Sequence, residues 1–123
     1  MNEADVNRYK GVLLRTREAI AGKSREREAI WVAHCNEVME TVQLASEREF
    51  AIRALELEKR CLTQVDAALD RIEDGEFGVC MECEEPISPK RLAAVPWACY
   101  CLRCQEMEDR RQAEEAGVPT LAA

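Results

Sequence analysis

Cys80-Met81-Glu82-Cys83 and Cys101-Leu102-Arg103-Cys104 are two Cys-x2-Cys pairs with 17 residues between them, and the fold follows from how they are read. Each pair closes a tight knuckle, and two knuckles at this separation meet on one tetrahedral ion. Zinc suits the set, because four soft sulfurs at ~2.3 Å fill its coordination sphere and leave no position for water or substrate. One structural zinc per chain, held by Cys80, Cys83, Cys101 and Cys104, is therefore expected. A thioredoxin-type redox pair needs a βαβ context that residues 1–79 do not offer, and an iron–sulfur cluster shares the ligand count but usually shows other spacings.

Turn signals surround the cysteines. Asp74-Gly75, Glu85-Pro86, Ser88-Pro89 and Val95-Pro96 break up residues 75–100. The single helix expected there is one or two turns long, with Ser88 as N-cap and Pro89 in the first helical position. The segment has few apolar residues with which to bury a core of its own, so metal binding should supply much of its folding free energy. A last helix should follow Cys101 and fade before Gly117. The regions so delimited are a zinc module with its C-terminal helix at 75–116 and a flexible tail at 117–123.

Upstream the pattern changes to helical periodicity. Val6, Tyr9, Leu13, Thr16, Ile20, Lys23, Arg27 and Ile30 fall at alternating three- and four-residue steps, which predicts a helix over about residues 5–33. The polar members Lys23 and Arg27 weaken its seam beyond Ile20, and Gly11 and Gly22 each cost about 1 kcal/mol against Ala. Ala51, Leu55, Glu58, Leu62, Val65, Leu69 and Ile72 repeat the spacing in a second helix that stops at Gly75. A short link joins the two, so residues 1–74 read as a long antiparallel coiled-coil hairpin with its tip near 34–42. Two helices of a small bundle are the alternative, but no third long helix exists to complete one. The fold class is mainly α.

The remaining cysteines, Cys35, Cys61 and Cys99, read as small hydrophobes, although Cys99 lies close enough to Cys101 to enter the metal shell by exchange. His34, the single histidine, reads as a solvated residue of the hairpin turn.

Composition narrows the function. The formal net charge is −7, and a zinc held by four thiolates makes it about two units more negative. Residues 1–73 hold 14 acids against 12 bases and residues 74–123 hold 10 against 5, so neither part carries a basic stripe for phosphates. Direct nucleic-acid binding is not expected. The beginning of the chain lacks the basic and apolar regions of a signal peptide. The longest nearly apolar stretch, Leu92 to Leu102, contains Pro96 and falls well short of the ~20 residues that span a bilayer. A cytoplasmic protein with reduced cysteines and no membrane partner is expected.

Leu69 to Glu106 carry a specific resemblance. Arg71-Ile72-Glu73-Asp74-Gly75-Glu76-Phe77-Gly78-Val79-Cys80, then Cys83-Glu84-Glu85-Pro86-Ile87, then Lys90-Arg91-Leu92-Ala93-Ala94-Val95-Pro96-Trp97-Ala98 resembles the DksA/TraR zinc-finger family of bacterial transcription regulators. The hairpin extends the likeness weakly back to about residue 5. The resemblance implies that the coiled coil enters the secondary channel of RNA polymerase. Acidic residues at its tip would then approach the catalytic centre and change promoter-complex lifetime, with no sequence readout of DNA. The family's tip pattern of Asp-x-x-Asp-x-Ala falls on Glu37-x-x-Glu40-x-Val42. Both carboxylates are kept on side chains one methylene longer, at a helix start where the dipole favours negative charge.

One departure bears on regulation. Members that bind the alarmone (p)ppGpp jointly with polymerase use basic side chains. This chain has Val95 before Pro96 where they have Arg, and Gln64 and Gln105 where they can carry Lys. Losing cations removes charge-assisted phosphate contacts of about 1.5–3 kcal/mol each, which argues against alarmone dependence. The chain is expected to act as a monomer. An adaptor that binds a different protein through the hairpin is the competing function. An enzyme is not expected, for there is no Ser-His-Asp set and no phosphate-cradling loop.

Overall fold

The computed structural model describes residues 1–35 and 42–117. Its elements are α1 (Glu3–Cys35), α2 (Val42–Glu73), α3 (Pro89–Ala94) and α4 (Leu102–Glu115). Asn2 caps α1, its Oδ1 accepting from the Asp5 amide at 2.8 Å, and Glu3 and Asp5 in the first turn suit the dipole. Helix α2 ends in a Schellman motif. Gly75 has φ +75°, its amide donates to Ile72 O at 3.2 Å, and the Glu76 amide reaches back to Arg71 O at 2.9 Å. A residue with a Cβ resists that left-handed conformation, which is why the helix stops here.

At 33 and 32 residues, the long helices reach about 50 Å at 1.5 Å per residue. They pack on each other, and the expected stripe forms the contact near their base. Tyr9, Leu13, Val65 and Ala68 are buried there, and Leu69 and Ile72 are half-buried against them. The same cluster continues into Phe77, Cys80, Ile87, Leu92, Ala98 and Cys104, with the Tyr9 and Phe77 rings 5.6 Å apart. The zinc module therefore does not bury a core by itself. It shares one with the hairpin base, where full burial of Leu13, Val65 or Leu92 contributes about 1.5–3 kcal/mol each.

Away from the base the seam changes character. Ile30, assigned to the stripe by its spacing, is 60% exposed, and Leu55 of the facing stripe is half-buried. Arg27 and Glu58, the polar members of the two stripes, face each other across the hairpin. Glu58 Oε1 accepts from Arg27 Nη2 at 3.0 Å and from Nε at 3.2 Å, and Oε2 accepts from the Ser24 hydroxyl at 2.6 Å. The Ser24 hydroxyl holds the Glu58 carboxyl below the usual carboxylate value, against the upward push of partial burial, and Arg27 adds to the lowering.

Helix α3 begins as its sequence predicts. Ser88 Oγ accepts from the Arg91 amide at 3.2 Å and Pro89 opens the helix. Helix α4 buries Cys104; along its surface Arg111 pairs with Glu108 and Glu115, and Gln105 bonds Asp109, contacts one turn apart that support an exposed helix. Among the described residues no helix is long and apolar enough to cross a membrane.

Candidate metal centre

The first knuckle is a reversed turn. Val79 and Pro86 form an antiparallel bridge, the Cys80 amide donates to Glu85 O at 2.8 Å, and the Glu84 amide donates to Cys80 O at 3.0 Å. Glu84 completes the turn at φ 61°, a left-handed conformation that a non-glycine residue adopts only where its surroundings enforce it. The second knuckle uses a helix start. Cys101 is the N-cap of α4, its carbonyl accepts from the Gln105 amide at 2.9 Å, and Cys104 lies in the first turn. Thiolates at a helix N-terminus face the positive end of the dipole. A bond from the Met81 amide to Cys99 O at 2.9 Å ties the two knuckles together.

This brings the four predicted ligands into one cluster. The sulfurs of Cys80, Cys83, Cys101 and Cys104 lie within 4.8 Å of one another, and those of Cys83 and Cys101 are 3.8 Å apart. Four bonds of ~2.3 Å to a tetrahedral ion place sulfurs about 3.8 Å apart, the separation of the Cys83 and Cys101 sulfurs, so one ion can be reached by all four. The electrostatics fit as well. Burial opposes ionisation of Cys80, but backbone hydrogen bonds from Cys83, Cys101 and Glu82 outweigh it and bring the thiol down to about 6. The neighbouring Cys101 side chain, then burial, push Cys104 up to about 12. One anion forms readily, while Cys83 and Cys104 resist becoming anions beside it. A divalent cation removes that conflict and completes a closed, structural site.

Cys99 supplies its carbonyl to the knuckle, and its thiol is outside the cluster of four. Burial raises the Cys61 thiol above its usual value, and the residue flanks the core as a small hydrophobe. Glu37 and Glu40 lie outside the described residues. Val42 opens α2, and its side chain also falls outside what is described.

Two arginines tie the centre to its surroundings, and spacing did not single them out. Arg71, in the last turn of α2, is 9% exposed and donates to Trp97 O at 3.3 Å and Ala98 O at 3.5 Å. Arg91 Nε donates to Tyr100 O at 2.9 Å. Both guanidiniums hold the loop that precedes Cys101. Replacing Arg71 with Met keeps the apolar stem and strands two carbonyls, so a loss of about 2–4 kcal/mol is expected. Denaturant titration of Arg71→Met against the parent measures it.

Residues 75–110 match the model of the prokaryotic dksA/traR C4-type zinc finger. The RNA polymerase-binding transcription factor DksA of Caulobacter vibrioides is 33% identical over 119 residues, which cover 91% of this chain and 81% of the relative. The protein of the same name from Salmonella typhimurium is 28% identical over 124 residues, covering 95% and 80%. Among solved structures, transcription factor DksA2 from Pseudomonas aeruginosa superposes with a TM-score of 0.78 at 30% identity, covering 91% of this chain and 88% of that one. These relatives are named as transcription factors, not enzymes.

Proposed function

The chain belongs to the DksA/TraR C4-type zinc-finger family, and on that footing we propose that it is a transcription regulator that binds RNA polymerase and modulates initiation. The observation that carries the reading is the extent of the likeness, since 91% of the chain aligns with a polymerase-binding relative. The hairpin is therefore included along with the metal centre. An arm of two helices about 50 Å long suits entry into a channel, and the secondary channel of polymerase is the one we assign. The metal centre contributes by shape. It holds Phe77, Leu92 and Ala98 in the core shared with Tyr9 and Leu13, and so sets how the arm leaves the module.

Purification with core RNA polymerase tests the reading. A stoichiometric complex is expected, whereas an adaptor for another protein would leave polymerase behind. We place the protein in the cytoplasm with the polymerase, acting as a monomer.

The proposed action needs no direct grip on DNA. With a net charge of −7, the protein should retain duplex DNA no better than an acidic control at physiological salt. A mobility-shift titration measures this, and sequence-specific retention at nanomolar protein, the affinity range of specific binders, would replace the proposal with a zinc-finger repressor. Alarmone dependence is also not proposed. Val95 closes α3, its amide donating to Arg91 O at 2.7 Å, and packs against the core. Gln105 is engaged with Asp109, and Gln64 is exposed and uncharged.

A further inference from the structure

We propose that Glu58, Arg27 and Ser24 form a clasp that fixes the alignment of the outer arm, which makes them positioning residues for whatever the end of the hairpin does. The functional half of this inference rests on the polymerase reading above; the geometric half does not.

Both Glu58 carboxylate oxygens are occupied from the facing helix, Oε1 by Arg27 and Oε2 by Ser24. The Glu58 side chain is 16% exposed and that of Arg27 34%, so the pair sits in the seam and is screened less than a surface ion pair. A second pair between the helices, Arg17 with Asp66 at 3.4 Å, is 47% and 56% exposed, lies nearer the base and contributes little by the same reasoning.

The clasp's position matters. Arg27 stands about 21 Å along α1 from the buried Leu13. Toward the tip from there Ile30 is exposed and, among the described side chains, Trp31, Ala51 and Leu55 are half-buried, whereas the fully buried Leu13 and Val65 lie nearer the base, so apolar packing aligns the outer helices less firmly than it does the base. Apolar contact is also non-directional, and tolerates sliding and rotation that a three-point hydrogen-bonded carboxylate does not. Polar groups in a coiled-coil seam are known to select register while lowering stability. The clasp is thus where the axial position and rotation of the outer turns are set, and through them the presentation of the arm's end to polymerase.

Two readouts test this. Nitroxides are placed at positions 28 and 53, both exposed and both on the tip side of the clasp, through non-canonical amino acids that spare the zinc thiols. Pulsed dipolar spectroscopy then reports the distance distribution between the helices, and open-complex lifetime on a polymerase promoter reports function. Arg27→Leu combined with Glu58→Leu should fold, keep zinc and melt no lower than the parent, yet give a broadened or displaced distribution and lose the effect on initiation. Arg27→Glu combined with Glu58→Arg rebuilds the pair in reverse, and should restore both readouts. If the leucine pair does not fold, Glu58→Gln, which keeps the shape and removes the charge, is expected to give the same two losses. A leucine pair with the parental distribution would overturn the clasp, and a displaced distribution with a parental effect on initiation would overturn its positioning role. A parent protein with no effect on polymerase would count against the proposed function, and the distances alone would then decide the clasp.

Discussion

Replacing Cys83 with Ser is expected to unfold the metal centre and to loosen the base of the hairpin with it. Structural zinc in small modules is bound with apparent free energies of about 10–16 kcal/mol at neutral pH, and in such modules that binding energy is folding energy. Losing one ligand of four forfeits only part of it, yet a loss of about 5 kcal/mol moves the melting midpoint of a chain this size by roughly 20 °C. The damage should not stay local. Phe77, Leu92 and Ala98 lie in the cluster that contains Tyr9, Leu13 and Val65, and Arg71 at the end of α2 bonds the carbonyls of Trp97 and Ala98. Chelation of the parent should therefore cost helix signal as well as Trp97 packing, in one transition. Elemental analysis together with thermal melting followed by circular dichroism decides it. A parent without stoichiometric zinc, or a Cys83→Ser variant that melts like the parent, contradicts the structural role of the metal.

Replacing Glu37 and Glu40 together with Ala is expected to abolish the effect on initiation while folding and polymerase binding survive. The sequence reading puts both glutamates at a solvated tip, and surface substitutions of that kind usually stay within about ±0.5 kcal/mol. Binding should persist because the flanks of a long arm offer far more contact area than two carboxylates, and interface energy concentrates in buried anchors. Open-complex lifetime, polymerase pull-down and melting of the same preparation give the three readouts. A variant that still changes the lifetime as the parent does would move the activity to the arm's flank or to the metal centre.

What was legible in the sequence is what local chemistry determines. Ser88 and Pro89 announce α3 because a hydroxyl cap and a fixed φ act within one turn. Gly75 announces the end of α2 because its left-handed φ is required there. The four ligands were readable because knuckle spacing and tetrahedral geometry are properties of short segments. What was not legible depends on alignment across the hairpin. Arg27 read as a weak point of one stripe and Glu58 as a member of the other, and they become partners only once the register is known. Arg71 stood out in the sequence only as part of the stretch that carries the resemblance, and its burial follows from where the Trp97 loop packs. Ile30 fitted the stripe but is exposed, because periodicity reports which way a residue faces and not whether a partner surface covers it. The shared core was hidden for a related reason, since Tyr9 and Phe77 are distant in sequence and meet only in the fold.

The most direct test of the polymerase assignment is a photo-crosslinker placed at position 37 of the zinc-loaded protein, irradiated in complex with core RNA polymerase and mapped by mass spectrometry. Crosslinks to segments that line the secondary channel close to the catalytic centre are the predicted result. Crosslinks confined to the polymerase exterior, from a protein that is demonstrably bound, would contradict it.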